Sequence, residues 1–228
     1  MAKKCYWCDS PTTSMEHAPP KCIFPVEKDT TDKIDRRLEL ITVPSCDEHN
    51  GAKSQDDEYL LSVLAVCILN NTVGTEQAKS KVLRALENNP KLCTQVLGDY
   101  EHVVAEDIAT GNREHTVAFK LDHDRIVSVF EHIARALFFH HYGRAWQGNV
   151  TSFAEFQMAI GDDAIKINES YEEIRTIADE LIGGEEKHGS NPDVFYYQFV
   201  DKLEETNMLL FRLTFYEGTC ALIKFDSN

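Results

Sequence analysis

Long apolar runs are missing from the 228 residues of this chain. The longest apolar stretch extends from Leu60 to Leu69 and is interrupted by Ser62, whereas a transmembrane helix needs about 18 or more consecutive apolar residues. The beginning of the chain also lacks the apolar segment that is typical of a signal peptide. The sequence therefore predicts no membrane span and a cytoplasmic location.

Basic residues are also scarce. The chain has 23 Lys and Arg against 38 Asp and Glu, which gives a formal net charge of −15. This balance excludes a protein whose whole surface is a basic nucleic-acid-binding face, but it allows a small basic site within an acidic molecule. Hydrophobic residues make up 43% and charged residues 27% of the chain, as in an ordinary globular protein with a buried core.

The seven cysteines are unevenly distributed. An odd number of cysteines without an export signal indicates reduced thiols. Cys67, Cys93 and Cys220 lie in apolar contexts and are interpreted as small core residues. The other four lie within the first 46 residues, in a segment that also holds five of the seven prolines and shows little apolar periodicity. A short segment of this kind usually needs a metal ion to fold.

After about residue 60, the apolar periodicity predicts regular secondary structure. Helices are expected at about 54–70, 76–88, 124–141 and 169–182, where the last has an apolar face of Ile174, Ile177, Ala178 and Leu181. A hairpin is expected at 101–121, and strands at 194–200, 208–216 and 219–225. Residues 61–228 are therefore predicted to form a mixed α+β domain, with helices followed by antiparallel strands.

Two features of this region allow more than one interpretation. His140 and His141 could contact phosphate, but adjacent helical residues point about 100° apart, which favours an ordinary helix end. Phe195, Tyr197 and Phe199 could stack on bases. Their alternation favours the core of a sheet.

Two residue pairs near the start of the chain have the spacing of zinc ligands. Cys5 and Cys8 are separated by two residues, as are Cys46 and His49. Thiolate and imidazole ligands in two such pairs are typical of tetrahedral zinc. A redox Cys-x-x-Cys motif is the alternative, but the βαβ pattern that it needs is absent. Cys22 is a reserve ligand.

A second set of polar residues lies between and just after the proposed ligands. Glu16 and His17 lie between the two pairs, Asn50 follows the last ligand, and Lys53 comes three residues later. A histidine can take a proton from water, and carboxylate and carboxamide oxygens can hold Mg²⁺. His17 could instead be a zinc ligand or a loop residue facing solvent.

The combined pattern resembles the HNH endonuclease family. The similarity rests on three segments, Cys5-Tyr-Trp-Cys8, Glu16-His17-x-Pro19 and Val43-Pro-Ser-Cys46-x-x-His49-Asn50-x-x-Lys53-Ser54. It covers about residues 1–60, and it implies a treble-clef, ββα-metal fold for them.

The resemblance also implies a role for each matching residue. His17 would be the general base, and Glu16 and Asn50 would bind a catalytic Mg²⁺ or Mn²⁺. Lys53 would contact the substrate backbone. Four residues would bind a structural zinc ion, namely Cys5, Cys8, Cys46 and His49.

The chain departs from the family pattern at several positions. His49 stands where the last zinc ligand is usually cysteine, and Glu16 stands where aspartate is common. No glycine precedes Gly51, and no asparagine occurs before Asn50. The middle asparagine of the family motif, which orients the histidine loop, is therefore missing.

These observations lead to one expected function and one alternative function. The expectation is a metal-dependent endonuclease that hydrolyses phosphodiester bonds, with DNA as the substrate. Its zinc-bound nuclease domain would cover residues 1–60, and an α+β domain of unknown role would cover 61–228. The kind of bacterial protein that it resembles suggests a defence system with a protein partner such as an ATPase or an immunity protein. The rival is a catalytically inactive zinc module that binds protein or nucleic acid.

Overall fold

The structure is a computed structural model that describes residues 4–8, 10–50, 54–106 and 110–227. It is mixed α+β, as predicted. The helices are α1 (Asp47–Asn50), α2 (Ser54–Ala65), α3 (Thr72–Gln77), α4 (Leu83–Asn88), α5 (Pro90–Leu97), α6 (His123–Tyr142), α7 (Ala164–Ile182) and α8 (Leu203–Thr206). The strands are β1 (Ser14–His17), β2 (Thr42–Ser45), β3 (Tyr100–Glu106), β4 (Arg113–Phe119), β5 (Asn149–Ala154), β6 (His188–Asn191), β7 (Phe195–Lys202), β8 (Met208–Phe215) and β9 (Thr219–Asp226).

A five-stranded antiparallel sheet forms the C-terminal part of the fold. Its strand order is β5-β9-β8-β7-β6. Side chains alternate between the two faces of a strand, and one face carries nearly all the large apolar residues: Phe195, Tyr197, Phe199, Leu209, Phe211, Leu213, Phe215, Ile223 and Phe225. The sheet-core interpretation of the aromatic strand is confirmed, because Phe195 and Tyr197 are buried.

Helix α6 packs on this apolar face. The ring centroids of Phe130 and Phe215 are 6.1 Å apart, and those of Phe138 and Phe225 are 5.6 Å apart. The side chain of Asp122 caps the first turn by accepting from the N–H of Arg125. The helix ends at Gly143 with φ +65°, a left-handed conformation that glycine adopts without a steric penalty. The predicted helix end at His140 and His141 is therefore observed.

Helix α7 covers the opposite face of the sheet less completely. Ile182 packs with Val200 and Leu210 in a small second apolar cluster. Ile177 and Leu181, on the predicted apolar face of the helix, are instead 55% and 38% exposed. The helix is oriented by polar contacts as well, because Arg175 donates from Nε to the carbonyl of Glu155 at 2.7 Å.

The helices between residues 72 and 97 differ from the prediction. Residues Ala78–Val82 form a π-helical segment that joins α3 to α4, so the helix begins before residue 76. The predicted stop before Pro90 is correct, but Pro90 then begins α5, which was not expected. Proline suits the first turn of a helix because its missing N–H has no partner there, and the side chain of Asn89 accepts from the N–H of Leu92.

The N-terminal segment is built around the short antiparallel pair β1–β2. Its apolar side chains reach the main core, since Tyr6, Ile23 and Val43 belong to the same contiguous cluster as the sheet. Arg36 is also buried, and its Nε donates to Asp193 at 2.6 Å, near the start of β7. Helix α2 crosses residue 60, and the division into domains at that position stays a prediction.

Two smaller expectations can be compared with the structure. Within the described part of the chain, no helix is both long and apolar enough to cross a membrane. Cys67, Cys93 and Cys220, which were interpreted as core residues, are only half-buried.

Candidate metal centre and adjoining cleft

Four side chains of the N-terminal segment converge on one point. The ligand atoms of Cys5, Cys8, Cys46 and His49 all lie within 4.8 Å of one another. His49 Nδ1 is 3.8 Å from Cys5 Sγ, 3.6 Å from Cys8 Sγ and 3.2 Å from Cys46 Sγ. Cys8 Sγ and Cys46 Sγ are 3.8 Å apart. A tetrahedral zinc ion separates its sulfur and nitrogen ligands by roughly 3.5 to 3.8 Å, so this Cys₃His group fits a metal ion such as zinc.

Backbone hydrogen bonds bring the two halves of the group together. The N–H of Cys5 donates to the carbonyl of Ser10 at 3.0 Å, which closes the loop that carries Cys5 and Cys8. The N–H of Tyr6 donates to the carbonyl of Pro44 at 2.7 Å, which ties this loop to β2. Cys46 follows β2 directly, and α1 then places His49 one turn later.

The surroundings of Cys5 favour its ionised form. Burial alone would raise the pKa of this thiol, but the N–H groups of Trp7, Cys8 and Cys46 outweigh burial and lower the pKa. Hydrogen bonds of this kind are typical around the thiolates of zinc sites, where the thiolate is the ligand.

Trp7 connects the Cys₃His group to helix α6. Its ring stacks on the ring of His49, with centroids 5.0 Å apart. On α6, His132 lies 4.4 Å from the same ring, and the guanidinium carbon of Arg135 lies 4.5 Å from it. Arg135 is itself buried and donates to the carbonyls of Trp146 and Gly148 at 3.0 Å. Trp7 therefore contacts both a residue of the Cys₃His group and two residues of α6.

A cleft of about 320 Å³ lies beside this group. It is lined by Met15, Glu16, His17, Pro20, Lys21, Cys22, Asn50, Asp57 and Glu58. Three of the predicted site residues, Glu16, His17 and Asn50, are thus brought together, although 33 residues lie between Glu16 and Asn50 in the sequence. Lys53 lies outside the described residues.

Strand pairing and a short helix position the predicted residues. Glu16 and His17 end β1 and pair with Val43 and Thr42 of β2. Asn50 is the last residue of α1, and its Nδ2 donates to Ser14 Oγ at 2.7 Å. Helix α1 is therefore attached to β1, the strand that carries Glu16 and His17.

The cleft is lined by both acidic and basic side chains. Burial and the nearby ammonium group of Lys21 lower the pKa of His17, which favours the neutral form of the imidazole. The Glu16 side chain is 6% exposed. The lining carries three carboxylates against one lysine, so the cleft is suited to cations.

Two acidic residues of the lining were missed as site residues. Asp57 and Glu58 lie near the start of α2. Cys22 is not part of the metal group: its thiol donates to the carbonyl of Asp57 at 3.4 Å. Burial and the nearby Asp57 raise the pKa of Cys22 to about 12. Nothing in the sequence places Asp57 and Glu58 beside this cleft, because their position depends on how α2 packs against the N-terminal segment.

Among the described residues, Cys₃His is the one group of three or more close metal-ligating Cys, His, Asp or Glu side chains. Glu16 and Asn50 lie outside this group and line the adjoining cleft. No protein-family model, curated protein or solved structure matches this chain.

Proposed function

We propose that this protein is a metal-dependent endonuclease of the HNH type. The observation that carries the proposal is the position of Glu16, His17 and Asn50, which line one cleft beside a Cys₃His group. This combination matches the resemblance described from the sequence. Zinc in the Cys₃His group would hold a treble-clef segment in shape.

Each cleft residue has a role in the proposed reaction. His17, whose lowered pKa favours the neutral imidazole, takes a proton from the attacking water. The oxygen atoms of Glu16 and Asn50 suit a hard cation. Mg²⁺ or Mn²⁺ at this position would stabilise the charge on the scissile phosphate and on the leaving 3′ oxygen.

Lys21 extends the proposed substrate contacts. It is exposed, it lines the cleft, and its positive charge contributes to lowering the pKa of His17. It can therefore bind the phosphate next to the one that is cleaved. Lys53 is proposed for the same purpose on the basis of the resemblance. DNA is the proposed substrate, and an acidic protein of this kind would gain affinity from a partner such as an ATPase, or be restrained by an immunity protein.

Plasmid nicking with Mg²⁺ or Mn²⁺ tests the proposal. His17→Ala should lower the nicking rate by a factor of about 10² to 10⁴, the usual contribution of a general base. His115→Ala is the matched control, because His115 lies exposed on β4. The proposal is wrong if His17→Ala and wild type nick at the same rate, or if no protein nicks with either metal.

The acidity of the cleft favours a second candidate, the inactive zinc module. Three carboxylates and one lysine would repel a polyanion unless a cation is bound. Binding of short DNA duplexes with and without Mn²⁺ separates the two. The nuclease requires Mn²⁺-dependent binding and cleavage, whereas the module predicts no cleavage under either condition.

A further inference from the structure

One wall of the cleft is a single 3₁₀ turn, Lys21–Ile23. Such a turn has too few internal hydrogen bonds to hold its own shape. The carbonyl groups of Cys22, Ile23 and Phe24 instead accept hydrogen bonds from side chains. Arg37 Nε donates to the carbonyl of Phe24 at 2.9 Å, and the remaining donors come from the region after residue 60.

Two of these donors lie on the helical segment that follows α2. Gln77 Nε2 donates to the carbonyl of Ile23 at 3.1 Å and to that of Cys22 at 3.3 Å. The side chain of Gln77 is fully buried. Lys81 Nζ donates to the carbonyl of Cys22 at 2.7 Å. The same carbonyl is thus held by two residues that are one turn apart.

The third donor comes from the sheet. Tyr216 lies in the turn between β8 and β9, and its hydroxyl donates to the carbonyl of Ile23 at 2.7 Å. Its own backbone is fixed, because its N–H donates to Val194 and its carbonyl accepts from the N–H of Asn71. A Cβ at Gly74 would lie 2.8 Å from the ring, so the helix approaches the tyrosine closely.

These hydrogen bonds matter for the stability of the wall because they are buried. Tyr216 is fully enclosed, and a buried carbonyl that loses its donor has no water to replace it. The hydroxyl of Tyr216 therefore links the turn between β8 and β9 to the cleft wall by a hydrogen bond between residues that are 193 positions apart in the sequence.

We infer that Tyr216, Gln77 and Lys81 are positioning residues for the cleft, which hold the wall that carries Lys21 and Cys22. The catalytic part of this inference rests on the proposed function. The region after residue 60 then has a role in the site, as the support of one of its walls.

Alkylation of Cys22 tests the inference without relying on activity. The thiol is half-buried and donates to Asp57, so it should react slowly with iodoacetamide in the wild-type protein. In Tyr216→Phe its labelling rate should rise about tenfold, as expected for a local opening that loses one buried hydrogen bond. Mass spectrometry of each peptide gives the rate for Cys22 relative to Cys220 in the same sample, which removes any effect of global unfolding.

Tyr197→Phe is the matched control. Tyr197 is a buried tyrosine of the same sheet, but its hydroxyl contacts His141 Nε2 at 2.8 Å instead of the cleft wall. This variant should leave the Cys22 to Cys220 ratio unchanged. Lys81→Met provides a second test if Tyr216→Phe does not fold, because Lys81 is only half-buried.

The nicking assay gives the second readout. Tyr216→Phe should lower kcat several-fold, while Tyr197→Phe should match wild type. The inference is overturned if both Tyr216→Phe and Lys81→Met keep the wild-type labelling ratio. If wild type does not nick at all, the proposed function fails, but the labelling comparison still decides the role of the wall donors.

Discussion

The N-terminal segment and the five-stranded sheet are stabilised in different ways. In the sheet, Phe211 lies with its ring centroid 5.1 Å from those of Phe199 and Phe225, and the neighbouring strands extend this aromatic packing. The N-terminal segment has short strands and few buried apolar residues. It contains the Cys₃His group, and several of its carbonyl groups accept hydrogen bonds from side chains.

This difference shows how a core-poor segment can form a defined cleft. Dispersion and apolar burial are non-directional, so they stabilise the sheet without fixing individual polar atoms. Metal coordination and buried hydrogen bonds are directional, and the buried hydrogen bonds set the positions of particular carbonyl groups in the segment. The two regions should therefore respond to different perturbations, even though they share one core.

The largest expected effect is the loss of the metal group. Cys46→Ser should remove the bound zinc, which is about one equivalent per chain in the wild type. It should also open the N-terminal segment to proteolysis, because structural zinc sites contribute about 10 to 16 kcal/mol of apparent binding free energy. Metal analysis and limited trypsin digestion measure both effects.

Cys220→Ser is the control for this substitution, since Cys220 lies on β9 and outside the metal group. It should retain its zinc. Equal zinc contents in the two variants would contradict the proposed ligand set.

A cavity in the sheet should have a smaller effect of a different kind. Phe211→Ala should lower the free energy of unfolding by about 3 to 5 kcal/mol, as for other buried phenylalanines, because Phe211 is fully buried. Urea unfolding followed by circular dichroism measures this change. The folded variant should still bind zinc.

Phe153→Ala, in the half-buried part of β5, should cost less than Phe211→Ala. If Phe211→Ala loses its zinc while its sheet remains folded, the comparison between the two regions fails.

The smallest expected effect is a pH dependence at the end of α6. Burial and the charges of His188 and His140 lower the pKa of His141 to about 4. Tyr197 also contacts this ring, and Tyr142 beside it donates to Asp201 at 2.5 Å. The unfolded chain then binds a proton at His141 that the folded chain does not, so stability should fall as the pH is lowered from about 6.5 to 4.

Urea unfolding at pH 7.5 and pH 5 checks this expectation. The free energy of unfolding should fall less between pH 7.5 and pH 5 in His141→Gln than in the wild type. The difference between the two proteins should be less than about 1 kcal/mol, because solvent reaches the ring and screens its charge. The metal ligands are common to both proteins, so the difference between them isolates His141. A loss of stability in His141→Gln that equals the wild-type loss would show that the ring does not contribute.

Much of the fold could be predicted from apolar periodicity. Helix α6 and strands β7, β8 and β9 agree with their predicted bounds to within about two residues. Strands β5 and β6 were missed because neither shows a regular apolar alternation, and β6 is short and contains Gly189. Both lie at the edges of the sheet, where pairing with a neighbour compensates for a weak local preference.

Part of the candidate site could likewise be predicted from the sequence, and part could not. The spacing of Cys5, Cys8, Cys46 and His49 is a local signal, and the structure brings all four together. The contributions of Asp57 and Tyr216 depend on how distant elements pack. A single sequence contains no local pattern for such contacts.

The contact between Tyr216 and Ile23 also has a consequence for the order of synthesis. A ribosome adds about 5 to 20 residues per second, so Tyr216 emerges roughly 10 to 40 seconds after Ile23, from which it is separated by 193 residues. During that interval the nascent chain has its ligand pairs and His17 but not the tyrosine that supports the cleft wall. The cleft would therefore stay incomplete until Tyr216 has been synthesised and has folded onto the N-terminal segment.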